Sequence, residues 1–103
     1  MQYRSIYITT RDEDEARRIG KTLVEEKLAA CVNIHPITSI YRWQGEIEEE
    51  GEAAMLVKTT AELADRVIER VKELHSYEVP CIVSLSIDKG YPGYLKWIEE
   101  STR

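Results

Sequence analysis

The alternation of apolar and polar positions predicts four strands. Residues 3–10 and 31–43 are rich in β-branched and aromatic side chains, a composition typical of strands. A third strand is predicted from Glu46 to about Thr59, with the run EAAMLVK as its buried part. The run CIVSLSI at 81–87 completes the set. These segments alternate with helical patterns, so the chain is predicted to be α+β.

The first helix is predicted over 13–28. Asp12 and Glu15 have the spacing of a capping box at its start, and acidic residues there suit the helix dipole. Apolar residues then recur every three or four positions, at Ala16, Ile19, Gly20, Leu23, Val24 and Leu28. One face of this helix is therefore predicted to be buried.

Two further helices are predicted. Thr59 and Glu62 repeat the capping-box spacing before an apolar stripe, which predicts a helix over about 61–75. Pro92 suits the first turn of a short C-terminal helix, where its missing N–H is tolerated.

A long hairpin joins the second and third strands. Gln44-Gly45 is predicted to form a two-residue turn, which would place Cys31 opposite Lys58 and Asn33 opposite Leu56. The run Glu48-Glu49-Glu50-Gly51 is predicted to break this register with a bulge. Its glutamates fit a solvated strand edge better than a site for hard cations. Pro36 predicts an edge position for the second strand.

The order β-α-β-β-α-β predicts a ferredoxin-like fold in a single domain, residues 1–103. Four antiparallel strands would carry two helices on one face, with a third helix after the last strand. The other face of the sheet would be bare, although the first strand carries bulky residues on both sides. Such a sheet usually buries its second face against another chain, which predicts an oligomer.

Composition narrows the possible partners. The chain has 14 Lys and Arg against 19 Asp and Glu, a net charge of −5. This negative net charge argues against nucleic-acid binding, which needs a basic face. A cation is a better-matched partner than a nucleic acid. No apolar stretch is long enough to span a membrane, and the N-terminus does not resemble a signal peptide. A cytoplasmic location is predicted, where Cys31 and Cys81 would stay reduced.

Three motifs together make the sequence resemble the CutA family of divalent-cation tolerance proteins. They are LAACVNIHPITSIYRWQGEI at 28–47, LVKT at 56–59 and HSYEVP at 75–80. The resemblance covers nearly the whole chain. It implies a ferredoxin-like fold assembled as a homotrimer, with a role in tolerance of copper and other divalent metals.

His75, Cys31 and Cys81 are the candidate metal ligands. Imidazole is a common ligand for copper and similar ions, and soft thiolates suit Cu(I) or zinc. The resemblance associates a His at the position of His75 with copper. His75 and Cys31 also have ordinary structural interpretations. His75 could interact with the carbonyls at a helix end, and Cys31 could be a small buried apolar residue. The second and fourth strands would lie at opposite sheet edges, so the three residues would converge only across a subunit interface.

The same reasoning predicts an intersubunit cleft. Polar residues inside apolar strands are costly to bury without partners. The cleft is therefore predicted from Cys31, Asn33, Tyr41 and Lys58 of the hairpin, with His75, Tyr77, Pro80 and Cys81 from an adjacent chain. These positions could alternatively serve only to hold the subunits together.

The predicted function is a cytosolic, trimeric divalent-cation-binding protein involved in metal tolerance or response. The alternative is a trimeric signalling or scaffold module whose intersubunit clefts bind a small anionic ligand or a partner segment. No phosphate loop, catalytic triad or carboxylate pair is present, so no enzymatic activity is predicted.

Overall fold

The structure, a computed structural model, describes residues 1–103 and confirms the predicted ferredoxin-like fold. Strands β1 (Tyr3–Thr10), β2 (Cys31–Trp43), β3 (Glu46–Thr60) and β4 (Ile82–Ile87) form one sheet. Their order is β2-β3-β1-β4, and every neighbouring pair is antiparallel. Strands β2 and β4 therefore lie at opposite edges, as predicted, and Pro36 is in an edge strand.

Helix α1 spans Glu13–Glu25 and ends three residues earlier than predicted. The end is a Schellman motif, in which the N–H of Leu28 donates to the carbonyl of Leu23 and that of Lys27 to Val24. Lys27 adopts the left-handed conformation, with a φ of 59°, at a position where glycine is usual. The apolar pattern alone could not locate this end, because Leu28 stays buried beyond the helix.

The capping box at the start of α1 is confirmed. The Glu15 N–H donates to Asp12 Oδ1 at 2.8 Å, and Glu15 Oε1 accepts from the Arg11 N–H at 2.9 Å. The carboxylate thus reaches the residue before the cap. This bond from the Glu15 N–H is the largest cause of the lowered pKa of Asp12.

The predicted capping box at Thr59 is wrong. The Thr59 hydroxyl is buried and donates to the Leu28 carbonyl at 2.7 Å, because Thr59 still belongs to β3. A 3₁₀ turn at Ala61–Leu63 precedes α2, which spans Ala64–Leu74. Helix α3 spans Pro92–Ser101, with Pro92 at its first position as predicted.

The hairpin register is confirmed, but the predicted bulge is wrong. Cys31 pairs with Lys58 and Asn33 with Leu56, and pairing continues without interruption to Trp43 opposite Glu46. Gln44 and Gly45 both have positive φ, 49° and 83°, as a two-residue hairpin turn of this hand requires. The three glutamates are therefore accommodated in regular β structure.

The core lies between the sheet and helices α1 and α2. This helix face of the sheet contributes Ile6, Ile8, Ala53, Met55 and Val57, all fully buried. Gly20 lies close to Val32, and a Cβ there would come within 3.3 Å of its Cγ1. Val24 was predicted to be buried but is 43% exposed, because it lies at the edge of the α1 stripe.

The opposite side of the sheet, the open face, is only partly bare, which corrects the sequence-based expectation. Helix α3 contacts β3, and its Tyr94 lies beside Cys31, whose side chain is on the open face. Ile98 of this helix is fully buried, whereas Val83 and Leu85 in β4 are about half exposed. The C-terminal helix thus covers one end of the open face.

The hairpin extends beyond the rest of the fold. The molecule measures 45 × 25 × 21 Å, and the tip residues Ile40, Trp43 and Ile47 are 67%, 54% and 69% exposed. Residues 46–52 of β3 pair only with β2, so this part of the hairpin is a two-stranded ribbon. No helix in the chain has the length and apolar character needed to cross a membrane.

Candidate functional site

A cleft of about 810 Å³ lies between the hairpin ribbon and residues 76–81. We call it the hairpin cleft. One wall is the outer half of the β2–β3 hairpin, which includes Tyr41. The other wall is the segment that connects α2 to β4, and Thr9 at the end of β1 also lines the cleft.

The hairpin cleft is acidic. Glu48, Glu50 and Glu52 alternate along β3 and so share the open face of the ribbon. Glu78 adds a fourth carboxylate from the opposite wall, and neither Lys nor Arg lines the cleft. Because the bulge is absent, the alternation is preserved across all three positions. The negative charges therefore act together on any ion that enters.

Two tyrosine hydroxyls border these carboxylates. The Tyr77 hydroxyl donates to Glu52 Oε2 at 2.6 Å, and burial together with this carboxylate raises the pKa of Tyr77. Desolvation and the neighbouring Glu50 carboxylate also raise the pKa of Tyr41. Both phenols consequently remain protonated donors at neutral pH.

His75 lies beside the cleft with both ring nitrogens engaged. The backbone N–H of Tyr77 donates to Nδ1 at 3.0 Å, and Nε2 lies 2.8 Å from the Thr9 carbonyl. These partners fix the neutral tautomer, because Nδ1 must accept and Nε2 must donate. A metal bound by His75 would have to replace one of these hydrogen bonds. The ring does not take the helix-end role considered for His75: only its backbone N–H donates to a carbonyl of α2, that of Val71.

Cys81 and Cys31 lie at different ends of the open face. Cys81 is exposed, lines the hairpin cleft and accepts a backbone bond from Thr9. Cys31 aligns across the sheet with Leu85, so it is roughly 14 Å from the β4 edge and roughly 13 Å further along the strands. One chain does not bring the two thiols together.

A second polar cluster, the Lys58 cluster, surrounds Cys31. The Lys58 ammonium donates to Asn33 Oδ1, and the Cys31 thiol lies 3.9 Å from the same oxygen. Burial, followed by the neighbouring Cys31, raises the pKa of Tyr94, which completes the cluster from α3. Lys58 is the only lysine that is not exposed, and it forms no ion pair.

The structure thus distributes the predicted cleft residues between two places. Tyr41, Tyr77 and Cys81 lie together in the hairpin cleft of one chain, with half-buried Pro80 between Val79 and Cys81. Cys31, Asn33 and Lys58 form the separate Lys58 cluster. No set of three or more His, Cys, Asp or Glu side chains within the chain is arranged to hold a metal ion.

Sequence reasoning missed Glu52, Glu15 and Tyr94. The spacing of Glu48, Glu50 and Glu52 was a usable signal, because alternate residues of a strand share a face. The contact of Tyr94 with Cys31 had no such signal, because it depends on where α3 packs.

Comparison with known proteins gives a consistent result. Residues 4–101 match the family model described as CutA1 divalent ion tolerance protein. The chain is 55% identical over 98 residues to the divalent-cation tolerance protein CutA of Thermus thermophilus, covering 94% of this chain and 95% of that protein.

Solved structures agree over the whole fold. The structure of the periplasmic divalent cation tolerance protein CutA from Archaeoglobus fulgidus matches with a TM-score of 0.96 at 48% identity, over 98% of this chain and 99% of that one. CutA from Xylella fastidiosa matches with a TM-score of 0.97 at 38% identity, over the full length of both chains. The family is named for tolerance of divalent ions and not for a reaction. With its sequence and fold both matched, the chain belongs to the CutA1 divalent ion tolerance family.

Proposed function

We propose that this protein binds divalent cations, Cu²⁺ among them, in the hairpin cleft and thereby contributes to metal tolerance or response. The observation that carries the proposal is the set of four glutamates that line the cleft without any basic residue. Clefts of one charge sign concentrate ions of the opposite sign. The family description and the names of the relatives support the connection with divalent metals.

Within one chain the cleft offers ligands of two kinds. The carboxylates of Glu48, Glu50 and Glu52 are hard oxygen donors, whereas the Cys81 thiolate is a soft donor that suits copper and zinc. His75 joins them only if it releases Thr9 or Tyr77. We therefore assign first contact with the cation to the carboxylates and Cys81, and treat His75 as a ligand that must be freed.

A homotrimer is part of this proposal, because a single chain lacks a complete ligand set. Exposed Val83 and Leu85 on the open face, with Ile40, Trp43 and Ile47 at the hairpin tip, provide apolar surface for neighbouring subunits. A neighbour could then bring its Cys31 towards the Cys81 end of the next chain. We place the protein in the cytoplasm, where both thiols stay reduced, and assign it no catalytic residue.

The test combines mass and binding. Sedimentation of the full chain is expected to give about three times the 11.9 kDa chain mass, and a stable monomer would contradict the trimer. Calorimetric titration with Cu²⁺ and with Zn²⁺ is expected to show binding that Cys81→Ser weakens. Unchanged binding in a Glu50→Gln, Glu52→Gln double variant would contradict the assignment to the cleft.

A second candidate function is binding of a small anion at the Lys58 cluster. The observation that favours it is that Lys58, the only lysine that is not exposed, has no carboxylate partner. Its bond uses Asn33 Oδ1, which leaves the amide N–H₂ of exposed Asn33 as a second donor. Thermal-shift measurements with phosphate, nucleotides and dicarboxylates, without added metal, test this function. Stabilisation of the native chain that Lys58→Met abolishes would support it, and no stabilisation by any anion would exclude it.

A further inference from the structure

We propose that Glu15 is the positioning residue of the hairpin cleft, holding residues 75–77 in the conformation that forms its wall. That this wall belongs to a cation site rests on the proposed function. The positioning of residues 75–77 by Glu15 does not depend on it. Glu15 does not line the cleft itself. It acts through the turn that presents Tyr77.

The carboxylate of Glu15 is buried, and both of its oxygens accept hydrogen bonds. Its side chain has 0% exposure, although it lies in the first turn of α1 among exposed acidic residues. Oε1 accepts from the Arg11 N–H at 2.9 Å, and Oε2 accepts from the Ser76 N–H at 2.8 Å. The two bonds join the start of α1 to the chain that leaves α2.

Arg18 reinforces the same junction. Its Nη2 lies 3.6 Å from Glu15 Oε2 and donates to the Leu74 carbonyl at 3.0 Å. Burial alone would raise the pKa of Glu15, but the hydrogen bonds from Ser76 and Arg11 outweigh it, so the pKa is lowered. The carboxylate is therefore ionised when it receives these donors.

From Ser76 the connection runs directly to the cleft. The preceding His75 ring bridges the Tyr77 N–H and the Thr9 carbonyl, and Tyr77 then reaches Glu52 through its hydroxyl. Three hydrogen bonds, to Glu15, Thr9 and Glu52, thus tie α1, β1 and β3 to one short turn. The bond from Ser76 to Glu15 fixes the turn from the helix side of the sheet, with Arg18 beside it.

An ionised carboxylate is required at this position. Both oxygens accept from backbone N–H groups, so an amide would present its own N–H₂ to one of them. Glu15→Gln therefore changes the chemistry with almost no change in volume. Glu13→Gln is the matched control, because it removes the same charge from the same turn and its carboxylate contacts only Arg17.

The first readout uses no metal. The chain contains two histidines, and exposed His35 serves as an internal reference for His75 in ring ¹⁵N NMR spectra. We expect wild type and Glu13→Gln to show His75 locked as the Nε2–H tautomer. We expect Glu15→Gln to shift His75 towards the mixed tautomers of His35, and an unchanged His75 signal would overturn the proposal.

The second readout is Zn²⁺ affinity by calorimetry. Residues that orient ligands indirectly typically change metal affinity ~10-fold or more. We expect that loss in Glu15→Gln and not in Glu13→Gln. If wild type binds no Zn²⁺, the proposed function fails, while the His75 tautomer still decides the role of Glu15.

A third measurement uses wild type alone, so its result does not depend on whether a variant folds. Ser76 is exposed, so its amide would exchange rapidly with deuterium unless it is hydrogen-bonded. We expect slow exchange of the Ser76 N–H in the native protein. Exchange at the rate of an open chain would overturn the proposal whatever the variants show.

Discussion

The two ends of the open face differ in charge, in whether a helix covers them and in the hydrogen-bond partners of their polar groups. The hairpin cleft has four glutamates, no helix over it and a tyrosine, Tyr77, that donates to one of the carboxylates. The Lys58 cluster has a single ammonium whose only partner is an amide oxygen, and α3 supplies Tyr94 above it. One end is suited to cations and the other to anions. A single mixed site, as predicted from the sequence, can form only where two chains meet.

The largest expected effect is a loss of divalent-cation affinity at the acidic end of the open face and not at the basic end. We expect Glu50→Gln with Glu52→Gln to lower divalent-cation affinity by ~10-fold or more, since ligands are at least as important as the groups that orient them. Lys58→Met should leave cation affinity nearly unchanged, because Lys58 lies outside the cleft. Calorimetry with Zn²⁺ on both variants checks this. Equal losses in the two variants would mean that the ends do not act independently.

Matched tyrosine substitutions compare the hydrogen bonds at the two ends. Tyr77→Phe removes a 2.6 Å bond to a carboxylate, and such bonds contribute roughly 1.5–3 kcal/mol, so we expect a loss of about 2 kcal/mol of unfolding free energy. Tyr94→Phe removes a contact with a sulfur acceptor, which is weak, and should cost less than about 1 kcal/mol. Urea unfolding of the two variants measures the difference. The reverse order would show that the Lys58 cluster is the more tightly organised end.

The pH dependence of stability tests the junction behind the cleft. The folded pKa of Glu15 is lowered, so its contribution is present above the pKa of the unfolded chain and is lost as pH falls through the folded value. We expect Glu15→Gln to be less stable than wild type at neutral pH, with the difference shrinking in acid. Thermal unfolding from neutral pH to about pH 3 measures it, with Glu13→Gln as control. A difference that does not depend on pH would contradict the ionised role.

The smallest expected effect concerns the two thiols. Cys81 is exposed and Cys31 only partly so, which predicts that an aromatic disulfide reagent labels Cys81 first. Saturating Zn²⁺ should slow the labelling of Cys81, and in the trimer it should slow that of Cys31 as well, since a neighbour's Cys31 is proposed to join the site. Peptide mass spectrometry assigns each site. Protection of Cys31 alone would place the cation at the wrong end of the open face.

Much of the fold could be predicted because its signals are local. Strand β1 and the hairpin turn follow from β-branched runs and Gln44-Gly45, and the turn then fixes the register for thirteen residue pairs. The errors arise where a tertiary contact outweighed a local rule. Thr59 has the spacing of a helix cap, but its hydroxyl bonds to Leu28, which is distant in sequence.

The site was less accessible to sequence reasoning for the same reason. His75, Tyr77 and Cys81 were singled out by residue type, but Glu15 gave only a helix-start signal. Its bond to Ser76 spans 61 residues and exists because α2 ends beside the first turn of α1. The division of the polar residues into two clusters likewise follows from strand order, which places β2 and β4 apart.

The unbroken pairing of the hairpin has a consequence for how this family can vary in sequence. Along a regular ribbon the parity of residue number decides which side each side chain occupies. Ala53, next to Glu52, faces the core where β3 pairs with β1, so the faces of Glu48, Glu50 and Glu52 are counted from that anchored residue. One residue inserted between Glu52 and Ala53 would transfer all three glutamates to the far side of the ribbon unless a bulge absorbed it. The charge of the cleft therefore depends on the length of this stretch of β3 as well as on its residue types.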